Sequence, residues 1–496
     1  MKPVTINQFN GGLAEDLREQ KTNTFSTCKG FDSTSFDHRL IPHGETEAEA
    51  LSSGDITDKL FSDITVGSAG QLCAIGRNSA GSPTVFDLFD KDSATDIAST
   101  WASFTTLSGA GGYRKNSLTF YKGNFYVYDI AFNVRKYDGS WSTHGSVDVS
   151  SYWDAMIVPA PFRHPADNLL YFAGNQAISR TDGTTFADMS SWTIPNSLYI
   201  SSITDFGADL AIATTPTNSS NTEVSRVFIH NRDSTNALFR ENINWGEGSL
   251  MILSNLGGTL IGVSISDANY VATTTYTTTR NKKVTIKAYS GGEPVLIKEI
   301  DVAENFSLRN IKAKANGRLY FGGDNDDSLY VIYKDRQGKI IVSRDRFIAN
   351  GTTVTTLRGF NVIGDYLFAM YDTAGGNGFC YRTKVTSSYT NNSTYESLIN
   401  HGMEVNDRSK KKQLRAISVS KASTTGQLVV SYKVDGGAYI TIGTLSASGN
   451  LVLKETRAVA GQFKEGYEYQ FKVESTSGAE FTELKYVYEV TDKNIS

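Results

Sequence analysis

One short stretch of the chain gathers carboxylates that could bind a metal ion. Asp324-Asn-Asp-Asp327 places three carboxylates and one amide within four residues. Calcium takes about six to eight oxygen ligands, so Asp324, Asp326 and Asp327 are candidates for part of a calcium site. A solvated turn between two strands has the same composition. The sequence leaves both interpretations open and predicts no cofactor.

Catalytic motifs with a fixed local spacing do not occur in the sequence. The histidines lie at positions 38, 43, 144, 164, 230 and 401, and none forms a His-Glu-x-x-His pair. There is no Gly-x-Ser-x-Gly elbow, no phosphate-binding loop and no Cys-x-x-Cys pair. A glycan hydrolase needs two carboxylates at a fixed separation, and nothing local marks such a pair. The sequence therefore predicts a protein that is not an enzyme.

A repeated strand pattern organises the middle of the chain. A turn residue, a Leu or Phe and further apolar positions recur in seven copies, 41 to 59 residues apart, a spacing typical of propeller blades. Several copies continue into Asp-Gly or Gly-Gly, which favour tight hairpins. We predict an all-β fold with a seven-bladed β-propeller over residues 61–395. The copies are anchored at Leu72, Phe125, Leu169, Leu210, Leu260, Leu319 and Leu367.

A second β-domain is predicted after the propeller. Residues 396–412 are a polar and then basic linker, and residues 413–496 contain six alternating strands. Short strands at this spacing are typical of a β-sandwich of the jelly-roll or immunoglobulin-like kind. If this sandwich binds a host glycan, Tyr439 or Tyr467 would be the aromatic contact.

Composition and charge exclude two classes of partner. The formal net charge is −4 and the pI is near 6.0, whereas a nucleic-acid-binding face is strongly basic. No apolar run approaches the length of a membrane span, so we expect no membrane insertion. The first ten residues lack the apolar segment of a secretion signal, and synthesis in a cytoplasm is expected.

Residues 1–60 show neither the strand repeat nor a helical period and are predicted to form an extended N-terminal arm. The arm is too polar to bury a core of its own, yet it carries several large apolar side chains. Its composition fits a disordered tail, and it equally fits an arm that orders on a partner.

Three segments of the arm resemble the opening of a family of tailed-bacteriophage virion proteins that carry a propeller. These segments are Phe9-Asn-Gly-Gly-Leu13 with the nearby Arg18, the pair Phe31-Asp32, and Arg39-Leu-Ile-Pro42. The resemblance implies a virion protein of the tail or neck that assembles in several copies. It also implies that the arm docks on a neighbouring virion subunit. The contact residues would be Phe9, Gly11, Gly12, Leu13, Arg18, Phe31 and Leu40.

Three functions follow from these observations, in this order. The first is a non-enzymatic structural component of a bacteriophage particle, a homo-oligomer placed by its arm. The alternative is a receptor-binding or glycan-binding virion protein that uses the propeller face or the sandwich. Glycan hydrolysis is the third. A docking arm further predicts that deletion of residues 1–45 leaves the melting temperature almost unchanged.

Overall fold

The computed structural model of this chain is built from β-strands, and the residues that it describes contain no helix. The predicted all-β fold is therefore confirmed. No helix that could cross a membrane is found in this part of the chain. The described residues are 2–9, 11–14, 24–29, 31–32, 39–42, 47–48, 61–66, 72–77, 86–91, 102–107, 118–129, 133–147, 159–174, 176–189, 194–195, 197–216, 224–233, 239–266, 282–326, 328–347, 354–363, 366–373, 378–384, 393–400, 403, 410–454 and 463–491.

Seven short strands come first in the chain. They are β1 (Lys2–Ile6), β2 (Gly12–Leu13), β3 (Thr24–Phe25), β4 (Thr27–Lys29), β5 (Phe31–Asp32), β6 (Ile41–Pro42) and β7 (Glu47–Ala48). Two of the pairings are local: β2 pairs with β3 and β5 pairs with β6. The predicted arm thus contains regular strands.

Among the described residues, seven sheets of four strands follow one another along the chain. The first sheet has β8 (Phe61–Val66), β9 (Leu72–Arg77), β10 (Phe86–Lys91) and β11 (Ala102–Leu107); the second has β12 (Thr119–Tyr121), β13 (Asn124–Tyr128), β14 (Asn133–Tyr137) and β15 (Trp141–Ser146); and the third has β16 (Phe162–Arg163), β17 (Leu170–Gly174), β18 (Ala177–Thr181) and β19 (Phe186–Asp188). The fourth sheet has β20 (Leu198–Phe206), β21 (Asp209–Pro216), β22 (Ser225–His230) and β23 (Phe239–Gly246), and the fifth has β24 (Ser249–Leu256), β25 (Thr259–Ile265), β26 (Lys282–Tyr289) and β27 (Val295–Val302). The sixth sheet has β28 (Ser307–Ala315), β29 (Arg318–Asp324), β30 (Ser328–Lys334) and β31 (Ile340–Phe347), and the seventh has β32 (Val354–Ile363), β33 (Tyr366–Thr373), β34 (Gly378–Lys384) and β7.

The inner strands of these sheets are buried on both faces. Every residue of β24 and β25 is buried, which matches their nearly continuous apolar sequence. The first strands of successive sheets contact one another: β20 with β24, β24 with β28, β28 with β32, and β32 with β8. Four-stranded sheets in this succession fit the blades of a β-propeller.

Two details of the predicted repeat need correction. The apolar copies lie at the second strands of the sheets, for example β9, β13 and β25, so each sheet begins one strand earlier. The seventh sheet takes its fourth strand from β7, which precedes the predicted boundary at residue 61. A two-residue strand is too short to show a period, and its pairing therefore left no signal in the sequence.

The remaining strands form two further sheets. They are β35 (Ser393–Glu396), β36 (Lys412–Lys421), β37 (Gln427–Val434), β38 (Ile440–Leu445), β39 (Gly449–Lys454), β40 (Glu465–Gly466), β41 (Tyr469–Thr476) and β42 (Phe481–Val490). One sheet has the order β1-β42-β36-β39, with β40 paired to β36, and the other has the order β38-β37-β41-β35-β4. Each sheet therefore takes an edge strand from the arm.

The chain divides into two compact units. Residues 48–327 and 351–382 form one, called here the blade unit because it holds the first strands of all seven four-stranded sheets. Residues 1–47, 328–350 and 383–496 form the other, called here the two-sheet unit because it holds both five-stranded sheets. The arm and the C-terminal strands share one hydrophobic core in this second unit, so the arm is not a separate segment.

Candidate functional site

A row of polar side chains crosses all five strands of the sheet β38-β37-β41-β35-β4. Backbone register places Thr441, Ser431, Lys472, Glu396 and Thr27 side by side in that order. Their neighbours along each strand point inward, because side chains alternate between the two faces of a sheet. Four interstrand gaps of about 4.8 Å give this row a length of about 19 Å.

Hydrogen bonds tie the pair of side chains at each end of the row, and the central Lys472 pairs with Glu474 on its own strand. The hydroxyl groups of Ser431 and Thr441 lie 3.2 Å apart. Thr27 Oγ1 donates to Glu396 Oε2 at 3.1 Å, and Lys472 Nζ lies 2.9 Å from Glu474 Oε2. Ser431 is buried, whereas Thr441, Lys472, Glu396 and Thr27 are exposed or half-buried. These four offer hydroxyl groups, an ammonium group and a carboxylate, and they can therefore both donate and accept hydrogen bonds.

Tyr439 lies on the same face as this row. Lys433 Nζ and Lys472 Nζ approach its ring centroid at 4.9 and 4.7 Å, and these cation–π contacts hold the ring in place. Burial first, and then the charge of Glu396, raise the pKa of the Tyr439 phenol above its ordinary value. The phenol consequently stays protonated, and its oxygen is buried, so the ring rather than the hydroxyl is the part of Tyr439 that a ligand would contact. The Tyr439 face is defined here as Tyr439, Lys433, Glu474 and the five residues of the row.

The second aromatic candidate, Tyr467, has a different environment. It is 37 % exposed, and Lys411 Nζ lies 5.8 Å from its ring centroid. Its backbone N–H donates to Asp435 Oδ1, and its carbonyl oxygen accepts from Lys412 Nζ. None of these contacts involves the polar row, so only Tyr439 has several hydrogen-bonding side chains around its ring.

Sequence reasoning identified Tyr439 but missed the row beside it. Lys472 and Glu474 alternate with buried residues of β41, and that alternation was the available signal on this strand. Thr27 and Glu396 could not have been found in this way, because 369 residues separate them in the chain. Their meeting depends on the arm strand β4 pairing with β35.

The predicted docking residues of the arm lie inside the chain itself, which corrects the docking hypothesis. Phe9, Phe31 and Leu40 are fully buried and Leu13 is 8 % exposed, all in the core of the two-sheet unit. The Phe9 ring packs edge-on against Tyr395 at 5.4 Å and also contacts Phe481. Side chains buried in this way cannot serve a neighbouring subunit. Gly11 is partly exposed, and Arg18 lies outside the described residues.

Gly12 has a packing role that the docking hypothesis did not foresee. Its φ is +83°, and a Cβ atom there would lie 2.5 Å from the carbonyl oxygen of Val342. We expect Gly12→Ala to lower the free energy of unfolding of the two-sheet unit by about 2 to 4 kcal/mol, from backbone strain and a close contact together. Urea unfolding followed by far-UV circular dichroism measures this change.

Gly436→Ala is the matched control for this substitution. Gly436 has a φ of +70° in the same unit, but nothing lies within 4 Å of an added Cβ atom. The free energy of unfolding of this variant should fall by only about 1 kcal/mol, because backbone strain acts there without a close contact. Equal losses in the two variants would show that the contact of Gly12 with Val342 is unimportant.

Two of the three calcium candidates, Asp324 and Asp326, lie among the residues that the structure describes. Asp324 is 6 % exposed, and its Oδ1 accepts the backbone N–H of Leu357 at 2.8 Å. The intervening Asn325 donates to the carbonyl oxygen of Asn305. Asp327 lies outside the described residues. Among the residues that the structure describes, no group of three metal-ligating side chains was found.

Comparison with known proteins gives remote structural likenesses only. No protein-family model and no curated protein matches the chain. An exo-β-1,3-galactanase from Phanerochaete chrysosporium matches at 11 % identity and a TM-score of 0.29, over 89 % of this chain and all of that one. An α-L-arabinanase from Penicillium chrysogenum matches at 10 % identity and a TM-score of 0.35, over 70 % and 98 %. A chain of a mitotic checkpoint complex matches at 10 % identity and a TM-score of 0.40, over 68 % and 94 %.

These likenesses correct the prediction that the chain is not an enzyme. Two of the three structures are, by name, a galactanase and an arabinanase. At these identities and TM-scores the likeness assigns no activity or substrate to this chain.

Proposed function

We propose that the chain binds glycans through the Tyr439 face of the two-sheet unit. The observation that carries this proposal is the polar row, which crosses five strands beside an aromatic ring held by Lys433 and Lys472. A sugar presents apolar C–H surfaces and hydroxyl groups that both donate and accept. Such a ligand needs an aromatic surface together with mixed hydrogen-bonding groups, as the Tyr439 face provides.

The charges of the face favour an uncharged sugar. Lys433 and Lys472 are balanced by Glu396 and Glu474, and one ion pair already joins Lys472 to Glu474. A polyanion would meet both carboxylates and would have to displace this ion pair. Neutral hydroxyl groups can instead bond to either charge without leaving it uncompensated.

The proposal includes a finer description of the fold and of the setting. The seven four-stranded sheets would be the blades of one closed propeller, and the two five-stranded sheets would form a β-sandwich. The resemblance of residues 9–42 supports a place in a tailed-bacteriophage particle, in several copies, with a host-surface glycan as ligand. Absence of the chain from purified particles by mass spectrometry would contradict the virion part of this proposal.

Binding to neutral surface polysaccharide tests the glycan site. We expect Tyr439→Ala to weaken binding at least about tenfold, because central aromatic contacts commonly contribute more than about 1.4 kcal/mol to affinity. Isothermal titration calorimetry with size-fractionated oligosaccharides measures the dissociation constant. Reducing ends released during the same incubation would show hydrolysis in addition to binding.

Tyr467→Ala is the matched control, since it removes a partly exposed tyrosine of the same unit. This variant should bind as the natural protein does. Equal loss of affinity in both variants, or unchanged affinity in Tyr439→Ala, would contradict the proposed site. Circular dichroism of each variant shows whether the unit stays folded.

A further inference from the structure

Lys312 joins the first strands of three sheets in the blade unit. It lies on β28, and its Nζ donates to Ser202 Oγ and to the carbonyl oxygen of Ile203, each at 3.0 Å. It also donates to the carbonyl oxygen of Leu253. Ser202 and Ile203 belong to β20, whereas Leu253 belongs to β24. One amine therefore has three oxygen partners on two other strands.

None of these three partners carries a charge that would balance an ammonium group. The carboxylate on β20 is Asp205, and its Oδ2 already accepts from Asn255 Nδ2 at 2.6 Å. Strand β24 has no ionisable residue, and the neighbouring charge on β28 is another cation, Lys314. Burial first, and then Lys314, lower the pKa of Lys312 to about 7, while Asp205 opposes them.

The hydrogen bonds of Lys312 can be satisfied whether its amine is protonated or neutral. A neutral amine has two N–H groups, which suffice for the two backbone carbonyl oxygens, and one lone pair facing Ser202. The Ser202 hydroxyl has a second acceptor, since its Oγ lies 3.3 Å from the carbonyl oxygen of Leu253. When the hydroxyl donates to that carbonyl, the lone pair of the amine is free to react.

We propose that Lys312 is a nucleophilic amine that reacts with small aldehydes, and that Ser202 controls the access of its lone pair. Lys312 is half-buried rather than fully buried, which gives a small reagent a route to it. The amine nitrogen adds to the carbonyl carbon, and the carbonyl oxygen takes up a proton. The carbinolamine then loses water to give an imine, so that both amine hydrogens leave with the oxygen. Desolvated lysines are the ones that react in this way at neutral pH.

Competitive reductive methylation of the natural protein tests this proposal. Limiting formaldehyde and a borane reductant at pH 7 would be followed by peptide mass mapping. We expect Lys312 to be methylated at least about tenfold faster than exposed Lys314, because burial keeps a larger fraction of the Lys312 amine neutral at this pH. In denaturant the two rates should become equal.

Two substitutions test whether Ser202 controls the reactivity of Lys312, or whether the lysine reacts merely because a reagent can reach it. Ser202→Ala removes the group that occupies the lone pair, so methylation of Lys312 at pH 7 should become faster. Lys312→Arg should leave the peptide unlabelled at position 312. The proposal is overturned if Lys314 reacts and Lys312 does not, or if Lys312 reacts only above about pH 9.

Discussion

A chain that lacks residues 2–45 is expected to lose the fold of the two-sheet unit. The deletion removes β1 and β4, one edge strand of each five-stranded sheet, and the fully buried side chains of Phe9, Phe25, Phe31 and Leu40. Burial of four such side chains contributes about 6 to 12 kcal/mol, at about 1.5 to 3 kcal/mol each. Since whole domains are stable by only about 5 to 15 kcal/mol, the unit should not survive this loss.

Two measurements distinguish the two units in this experiment. The five tryptophans, at positions 101, 141, 153, 192 and 245, all lie in the range of the blade unit, so their fluorescence reports that unit alone. Hydrogen exchange of the amides in β36 and β42 reports the two-sheet unit. We expect exchange protection of β36 and β42 to disappear, while the tryptophan transition persists.

Point substitutions give this experiment a matched control. Phe9→Ala should lower the free energy of unfolding of the two-sheet unit by about 3 to 5 kcal/mol, the usual loss for a buried phenylalanine. Exposed Gln8, its neighbour, should tolerate alanine within about 0.5 kcal/mol. Intact protection of β36 and β42 after deletion would show instead that the arm is dispensable and would revive the docking hypothesis.

The free energy of unfolding of the blade unit is expected to rise as the pH increases above 7. The pKa of Lys312 is about 7 in the folded chain and 10.5 for the unperturbed group, so the unfolded chain binds more protons between these values. Stability must then increase with pH in this range, and it is lost again as the pH falls towards 7. A pKa shift of this size corresponds to a change of a few kcal/mol in the free energy of unfolding.

Urea unfolding followed by tryptophan fluorescence from pH 6.5 to 9.5 measures this dependence. Lys312→Met has no titrating amine at this position, so its stability should change less across the same range. The quantity compared is the slope with pH, which does not depend on the stability that the substitution itself removes. Parallel slopes in the two proteins would show that Lys312 titrates outside this range.

Local sequence patterns predicted the strands well. They did not predict which strands pair when the two partners are far apart in the chain. The hairpins at Gly139, Gly183 and Gly291 were read from Asp-Gly and Gly-Gly, and all three glycines have positive φ. All six strands predicted after residue 413 are present. Such features depend on neighbours within about ten residues, and periodicity records them.

The arm and the polar row depend on contacts between residues far apart in the chain, which a local sequence period cannot reveal. Val4 and Ile6 pair with Tyr486 and Leu484, and Thr27 pairs with Glu396. The large apolar side chains of the arm indicated that it must be buried somewhere. They could not indicate that the partner was the far end of the same chain, because any apolar surface would satisfy them.

The pairing of the arm with the C-terminal strands also sets a time order for folding. About 350 residues separate Pro42 from Ser393, and ribosomes add about 5 to 20 residues per second. The arm must therefore wait about 20 to 70 s for β35, and longer for β36 and β42, with Phe9, Phe25 and Phe31 still in water. During translation these rings are a binding site for a chaperone, because the two-sheet unit cannot be completed until β42 has been synthesised.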